Sequence, residues 1–188
     1  MTGGLAVGKT TVCRLFEEFG AYVVYADEIV RRCLTLGTPM GQQVIDLLGS
    51  DIIINNQIDR KKVSDIVFSN PSKLQALEII LHPVVRREMM SLFEKIKNNA
   101  AYSFFVAEIP LLYEAKMEED FDTTVAVVCD EHIARERSLN KKEFERRSRF
   151  QLSQSAKQSR ADYVIVNEGD LAALKKEVSK LIPKLKGA

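Results

Sequence analysis

A glycine-rich segment near the start of the chain has the residue types that bind a nucleotide's phosphates. Gly3, Gly8, Lys9 and Thr10 match G-x-x-x-x-G-K-[ST], a loop whose backbone N–H groups surround phosphates ahead of a helix. The glycines allow close approach to the anion, Lys9 would place its charge at the β- and γ-phosphates, and Thr10 offers a hydroxyl to Mg²⁺. The alternative is a glycine-rich turn with an incidental lysine. The segment predicts binding of ATP and Mg²⁺.

The residues after this loop predict the helix that the motif requires. Val12, Leu15, Phe16 and Phe19 recur at helical spacing, and Gly20 follows them. They form one apolar stripe that ends at the glycine. This helical context favours the phosphate loop over an incidental turn.

Two carboxylates directly follow apolar runs. Asp27 comes after YVVYA and Glu108 ends SFFVAE. Ligands of open α/β sheets bind outside the carboxyl ends of the strands, so both acids are candidates. Asp27 could accept a proton from an acceptor hydroxyl, and Glu108 could bind Mg²⁺ or its water shell. The alternatives are a helix cap for Asp27 and a buried, paired glutamate for Glu108.

The segment from Arg135 to Arg149, called the basic segment here, has a local charge of +4. It contains seven basic residues and three glutamates. Kinases close mobile basic lids over the γ-phosphate, which neutralises developing charge and excludes water. Most of these charges are expected to be solvated surface, with one or two in contact with phosphate.

Short apolar runs predict the strands. They are Ala21 to Tyr25, Tyr102 to Ile109, Thr123 to Cys129 and Tyr163 to Val166. Continuous apolar runs separated by helical patterns are typical of parallel strands covered on both faces. We therefore predict an α/β fold with a doubly wound parallel sheet, closed by a Lys-rich amphipathic helix from Leu171 to Leu185.

About 75 residues of mostly helical pattern separate the second and third strand candidates. A minimal crossover needs only a dozen or so residues, so we predict a helical insertion at about 36–100 within a single domain. Its predicted helices are Gly41 to Leu48, Arg60 to Phe68, Ser72 to Leu81 and Pro83 to Asn98. Pro83 would open the last of them, because proline is favourable at the first helical position.

Composition limits the classes of partner. The formal net charge is +1, which gives no support for general binding to nucleic acid or to an anionic membrane. The three cysteines lack the paired spacing of a zinc site, and no apolar run is long enough to cross a bilayer. These features predict a cytoplasmic protein with small-molecule partners.

The strand that normally precedes a phosphate loop is not evident. Only Met1 and Thr2 come before the loop. Losing a central strand would expose its neighbours and leave the loop without rigid support. The first strand is therefore predicted to be missing here, with the true chain starting upstream.

An ordered set of motifs resembles the dephospho-CoA kinase family over nearly the whole chain. The motifs are TGGLAVGKTT, YADEIVRR, IDRKKVSDIVFSN, ALEIILHPVV, EIPLLYE and ADYVIVNEG. A phosphate loop alone indicates only a nucleotide, whereas the combination is much more particular to this family. The resemblance implies transfer of the ATP γ-phosphate to the 3′-hydroxyl of dephospho-CoA, the last step of coenzyme A synthesis.

The resemblance also implies roles for particular residues. Asp27 would be the base, with Arg137 and Arg147 as candidates in a lid at about 132–153. ATP and Mg²⁺ would contact the loop residues, the end of the last strand and Glu108. The loop and strand-end positions are Gly3, Gly4, Ala6, Val7, Gly8, Lys9, Thr10, Thr11, Asn167 and Gly169. The acceptor would contact Asp27, Arg60, His82, Pro83, Leu111, Leu112 and Glu114.

Some of these assignments have equal alternatives. Without the family, His82 would be expected to cap backbone groups before a helix-opening proline, and Arg60 to form a surface salt bridge. The loop also departs from the family pattern, because Ala6 and Val7 would add Cβ atoms beside the phosphates. The lid is a few residues shorter than usual, which leaves its particular arginines open.

Two other functions remain. The first is another small-molecule P-loop kinase, acting on nucleotides or nucleosides, which would share the loop, the strand-end acid and a basic lid. The second is a non-catalytic nucleotide-binding module, for which the missing strand would be the evidence. Retention of Lys9, Thr10, Asp27 and Glu108 together argues against the second. The predicted partners are ATP and dephospho-CoA, in a monomer or weak homo-oligomer.

Overall fold

The computed structural model describes residues 1–186, which fall into two compact units. One unit combines Met1–Val24 with the chain from Ile96 onward, and the other is Tyr25–Lys95. Within the described residues no helix is both long and apolar enough to span a membrane.

The first unit is built on a parallel sheet. β1 (Thr2–Gly3) pairs with β6 (Val125–Val128), which pairs with β7 (Tyr163–Val166). β2 (Ala21–Tyr25) pairs with β5 (Phe104–Glu108). Met1 joins the two sets, because its nitrogen donates to the Ala107 carbonyl at 2.6 Å and its carbonyl accepts from Ile109 N at 2.8 Å. The strand order is thus β2-β5-β1-β6-β7, and the predicted α/β class with a parallel sheet is confirmed.

The first strand, expected to be missing, is present in shortened form. Thr2 lies opposite Ala126 and Gly3 opposite Val127, and both β1 residues are buried. Two residues are enough because Met1 already makes ladder bonds on the other side. The position of the shortened strand, between β5 and β6, is the central one that supports a phosphate loop.

Five helices surround this sheet in the described residues of the first unit. They are α1 (Lys9–Glu18), α6 (Glu131–Arg137), α7 (Lys141–Ser148), α8 (Gln154–Arg160) and α9 (Leu171–Lys186), with a 3₁₀ turn at Glu118–Asp120. The predicted stripe on α1 is buried at Val12, Leu15 and Phe16. α9 buries a matching stripe at Leu174, Val178 and Leu181. Side-chain caps from Asp130, Asn140 and Ser153 begin α6, α7 and α8, satisfying N–H groups there.

The second unit is mainly helical. It comprises α2 (Ala26–Cys33), α3 (Pro39–Leu48), a 3₁₀ turn at Ser50–Ile52, the strands β3 (Ile53–Ile54) and β4 (Gln57–Ile58), α4 (Arg60–Phe68) and α5 (Pro71–Ile96). Buried side chains from these helices form its own core, including Val44, Ile52 and Leu77. β3 and β4 form an unpredicted hairpin, whose turn residues Asn55 and Asn56 both have positive φ.

The two helices predicted on either side of residue 82 are one helix. α5 runs without interruption through Pro83, so Pro83 does not open a helix and His82 does not precede one. The prediction was wrong because the buried positions Leu77, Val85 and Met89 share one helical face across the proline. Packing of that face favours a continuous helix despite the missing N–H, a case of tertiary structure overriding local preference.

Candidate active site

The loop from Gly3 to Gly8 has a backbone that glycine is needed to form. Gly3 has φ of 149° and Gly8 of 95°. A Cβ atom on Gly3 would lie 2.3 Å from the Val127 carbonyl oxygen, and one on Gly8 would lie 2.2 Å from Asn167 Nδ2. Both glycines are therefore required by close backbone and side-chain approach as well as by conformation.

The loop leads into the N-terminus of a helix. Gly8 is the N-cap of α1 and, as a glycine, makes no side-chain cap hydrogen bond. Thr10 and Thr11 are exposed in this first turn. Unsatisfied N–H groups and the positive end of the helix dipole favour an anion at this place. The geometry suits a phosphate group.

The side chain of Lys9 contacts the phosphate-binding loop. Its Nζ donates to the Gly4 carbonyl at 2.7 Å, and only 8% of the residue is exposed. A lysine ammonium has three donors and can therefore bind more than one oxygen at the same time. The charge needed to neutralise phosphate is thus held at the loop.

Val7 differs from what the sequence predicts of it, and Ala6 has an unusual backbone conformation. Ala6 has φ of 59°, a left-handed conformation that costs an L-residue energy. Val7 is completely buried, and its methyl groups lie 3.1 and 3.4 Å from the positions that Cβ atoms on Gly3 and Gly4 would take. Its side chain therefore packs beneath the loop rather than adding bulk beside phosphates.

Asn167 braces the same loop from the end of β7. Its buried Nδ2 donates to the Val7 carbonyl at 2.8 Å, and its backbone N donates to Val128 O at 2.8 Å. Arg137 Nη1 in turn donates to the Asn167 carbonyl at 2.8 Å. Gly169 follows on the exposed loop beyond the strand. Arg137 is thus hydrogen-bonded to the backbone of Asn167, and the side chain of Asn167 is hydrogen-bonded to the phosphate loop.

Glu108 ends β5 in a buried position, with 9% of the residue exposed. Its charge acts on Cys13 of α1: burial first, and Glu108 next, raise the pKa of this thiol to about 12. The charge of Glu108 therefore acts on the helix that follows the phosphate loop.

The residues present suit Mg²⁺. A carboxylate at Glu108 and a hydroxyl at Thr10 are hard oxygen donors, which this ion prefers. In the part of the chain from 1 to 186, no cluster of three His, Cys, Asp or Glu side chains could bind a metal by itself. Mg²⁺ typically takes one or two protein ligands and completes its shell with phosphate oxygens and water, so the donor set fits a nucleotide-bound ion.

The basic segment forms two short helices joined by an ion pair. Arg135 of α6 contacts Glu145 of α7 at 2.5 Å, and Arg146 contacts Glu143 at 2.8 Å. Arg147 is half-buried on α7. Part of the positive charge is therefore neutralised within the segment, and the sequence-predicted pair Arg137 and Arg147 lies on different helices.

The segment after β5 contains three predicted acceptor contacts. Leu112 is buried, with 1% of the residue exposed, and Leu111 is half-buried. The Glu114 carboxylate binds Lys157 Nζ at 3.0 Å and accepts a bond from Leu152 N at 2.7 Å. Glu114 thus has partners inside the protein, and Leu112 contributes to the core.

The second unit carries the other predicted acceptor contacts. Asp27 lies exposed in the first turn of α2, and Tyr25 rather than Asp27 is the N-cap, so Asp27 does not serve as the helix cap. Arg60 is exposed at the start of α4, where Asp59 caps Lys61 N and Lys62 N. Burial, opposed by Glu78, lowers the pKa of the half-buried His82. An uncharged His82 at neutral pH follows.

Sequence analysis did not identify two residues that contribute to the site, Lys157 and Gln154. Lys157 is fully buried and binds Glu114 and the Pro110 carbonyl, although its setting in QSAKQSR reads as a surface helix. Gln154 accepts a bond from Cys129 N at 2.9 Å, and its side chain lies next to Gly4. The only available signal was Glu114, a carboxylate in an apolar segment that requires a partner.

Known proteins resemble this chain over its whole length. The family model described as dephospho-CoA kinase matches residues 1–173. The dephospho-CoA kinase of Protochlamydia amoebophila is 42% identical over 99% of this chain and 95% of its own. That of Chlamydia abortus is 40% identical over 100% and 96%.

Solved structures agree. A crystal structure of TT1252 from Thermus thermophilus superposes with a TM-score of 0.82 at 28% identity, covering 98% of this chain and 95% of that one. A dephospho-CoA kinase from Campylobacter jejuni, 23% identical over 99% and 95% of the two chains, has a TM-score of 0.70 and shares the fold. The phosphate loop, the sheet order and the full-length sequence similarity lead to one conclusion: the chain belongs to the dephospho-CoA kinase family.

Proposed function

We propose that this chain transfers the γ-phosphate of ATP to the 3′-hydroxyl of dephospho-CoA, yielding coenzyme A and ADP. The observation that carries the nucleotide half is the glycine-lined loop at the N-terminus of α1, with Lys9 held against it. Membership of the family supplies the acceptor. The protein would work in the cytoplasm as a monomer or weak homo-oligomer, without nucleic acid or membrane partners.

On the nucleotide side, the loop residues would bind the phosphates through their backbone N–H groups. Lys9 would neutralise charge on the β- and γ-phosphates, while Asn167 keeps the loop in shape through Val7 O. Gly169 would border the adenine at the end of β7. Preorganised donors of this kind stabilise charge as it develops during transfer. Arg137 and Arg147 would act in the lid over the γ-phosphate.

On the acceptor side, Asp27 would position the 3′-hydroxyl and accept its proton. The hydroxyl oxygen forms a bond to the γ-phosphorus as the bond from that phosphorus to the β-γ bridging oxygen breaks, and ADP leaves with the electron pair. Arg60, His82 and Pro83 are proposed acceptor contacts of the second unit, and Leu111 and Leu112 of the first. Mg²⁺, bound at Thr10 and Glu108, would supply charge neutralisation at the phosphates.

An ADP-release assay on the purified protein tests the proposal. With Mg²⁺ and ATP, addition of dephospho-CoA should release ADP at a rate that saturates with the acceptor. Nucleosides and nucleoside monophosphates are the matched alternatives. Turnover with one of these but not with dephospho-CoA would assign the chain to another group of P-loop kinases. ATP binding without turnover on any acceptor would indicate a non-catalytic module.

A further inference from the structure

Lys157 is fully buried, and burying its charge costs desolvation free energy that has to be explained. None of its side chain is exposed, and its Nζ contacts Glu114 Oε1 at 3.0 Å, Glu114 Oε2 at 3.4 Å and the Pro110 carbonyl. Burying an ion pair costs desolvation that its attraction only partly repays, and apolar replacements are often as stable. Stability alone therefore does not account for an ion pair at this place.

The pair connects the chain just beyond the basic segment to the residues that follow Glu108. The Glu114 carboxylate accepts a bond from Leu152 N at 2.7 Å, three residues beyond Arg149, the last residue of the basic segment. Lys157 binds the carbonyl of Pro110, two residues beyond Glu108. The chain on the far side of the basic segment is thus attached at two points, Leu152 and Lys157.

The same contacts reach the phosphate loop. The Pro110 carbonyl also accepts a bond from Thr2 Oγ1 at 3.3 Å, and Thr2 directly precedes the loop. Gln154, on the same helix as Lys157, lies with its Cγ 3.3 Å from where a Cβ on Gly4 would be. One cluster around the buried Lys157 therefore contacts both the base of the loop and the chain just beyond the basic segment.

We propose that the buried Lys157–Glu114 ion pair positions the basic segment relative to the phosphate loop, which makes Lys157 and Glu114 positioning residues for phosphoryl transfer. The role of the pair in catalysis rests on the proposed kinase function. Under this inference Glu114 acts through Leu152 and Lys157 rather than by contacting the acceptor. A displaced basic segment would still leave the phosphate loop able to bind nucleotide, because the bonds from Asn167 Nδ2 to Val7 O and from Lys9 Nζ to Gly4 O are made by residues outside that segment.

The test compares single and double variants of the pair. Glu114→Gln alone or Lys157→Met alone leaves a buried group without its partner, and is expected to lower Tm by about 10 °C. The double variant Glu114→Leu/Lys157→Met removes both charges and should recover Tm to within about 3 °C of the unsubstituted protein. The matched control is Glu177→Leu/Lys180→Met, which removes the exposed pair on α9.

The folded double variant separates positioning from a merely structural role. We expect its kcat with dephospho-CoA to fall at least about tenfold, with the Kd for Mg·ATP changed less than about threefold and the KM for dephospho-CoA little altered. The control pair should leave all three unchanged. Full kcat in the double variant would overturn the proposal, as would a raised KM at unchanged kcat, which indicates direct acceptor contact by Glu114.

Hydrogen exchange gives a readout that does not depend on activity. With Mg·ATP bound, backbone amides from 144 to 151 should exchange at least about fivefold faster in the double variant than in the control. Unchanged exchange there would overturn the positioning role even if the unsubstituted protein proves inactive on dephospho-CoA. Inactivity of the unsubstituted protein together with faster exchange would instead reject the proposed function and keep the positioning role.

Discussion

At the scale of single residues, the site depends on a few positions at which the structure accepts only one residue type. Gly8 is required because Asn167 Nδ2 occupies the space that a Cβ would take. Asn167 in turn is required to satisfy Val7 O. The glycines could be predicted from the motif, but the asparagine contact could not, because 160 residues of sequence separate its partners.

Asp27→Asn tests the proposed base. The amide keeps the size of the side chain but cannot take the hydroxyl proton, so kcat should fall by about 10²-fold or more. The Kd for Mg·ATP, measured by calorimetry, should stay within about threefold. Glu28→Gln, an exposed neighbour in the same turn of α2, is the matched control and should retain its rate. An unaltered kcat in Asp27→Asn would remove Asp27 from the mechanism.

Ala6→Gly tests the left-handed residue in the loop. With φ of 59°, Ala6 has a conformation that glycine adopts without penalty. The substitution should raise the free energy of unfolding by about 0.5–1 kcal/mol in urea titrations. Ala172→Gly, at an exposed position of α9, should lower it or leave it unchanged. A loss of stability in Ala6→Gly would show that the strain is absent.

At the scale of elements, sequence patterns predicted the strands β2, β5, β6 and β7 and the helices α1, α3, α4 and α9 closely. β2, β7 and α4 coincide with the predicted ranges, because each is an apolar or periodic run, and β7 and α4 are also flanked by polar residues on both sides. β1 and the hairpin of β3 and β4 have only two residues per strand, too few for a pattern. Such strands are specified by their partners, so sequence alone could not reveal them.

Pro83 tests why α5 is one helix. If packing of the buried face maintains the helix despite the proline, then Pro83→Ala should add a backbone hydrogen bond and raise the free energy of unfolding by about 1 kcal/mol or more. Urea titration measures the effect. Pro39→Ala, at the first turn of α3 where proline is well tolerated, should give no such gain. Equal effects in the two variants would contradict this explanation.

Asp162 tests the entry to β6 and β7. Thr124 N and Thr124 Oγ1 both donate to its carboxylate at 2.8 Å, and these bonds lower its pKa below the ordinary value of an aspartate. A lowered pKa in the folded state adds stability above the unfolded pKa, and this stability is lost as pH falls through the folded value. The Tm difference between the unsubstituted protein and Asp162→Ala should therefore shrink from pH 6 to pH 3. A constant difference would contradict the role of the carboxylate charge.

At the scale of the whole molecule, the chain combines a parallel-sheet unit that carries the phosphate loop with a helical unit that carries Asp27 and His82. The loop motif predicted nucleotide binding, and the apolar runs separated by helical patterns predicted the α/β fold. Lys157 was not predictable as part of the machinery, because burial of a lysine follows from the three-dimensional placement of Glu114 and Pro110. The residues with chemically active groups could be predicted from the sequence. The contacts that position them could be identified only in the three-dimensional structure.

The most direct test of the proposed function is identification of the phosphorylated product. Phosphorus NMR of a reaction containing the purified protein, Mg·ATP and dephospho-CoA should show ADP and a new phosphomonoester on the ribose 3′-oxygen in equal amounts. Lys9→Ala should abolish both signals while the acceptor stays unmodified. ADP formation without that phosphomonoester, or no ADP from a folded protein that binds Mg·ATP, would contradict the account.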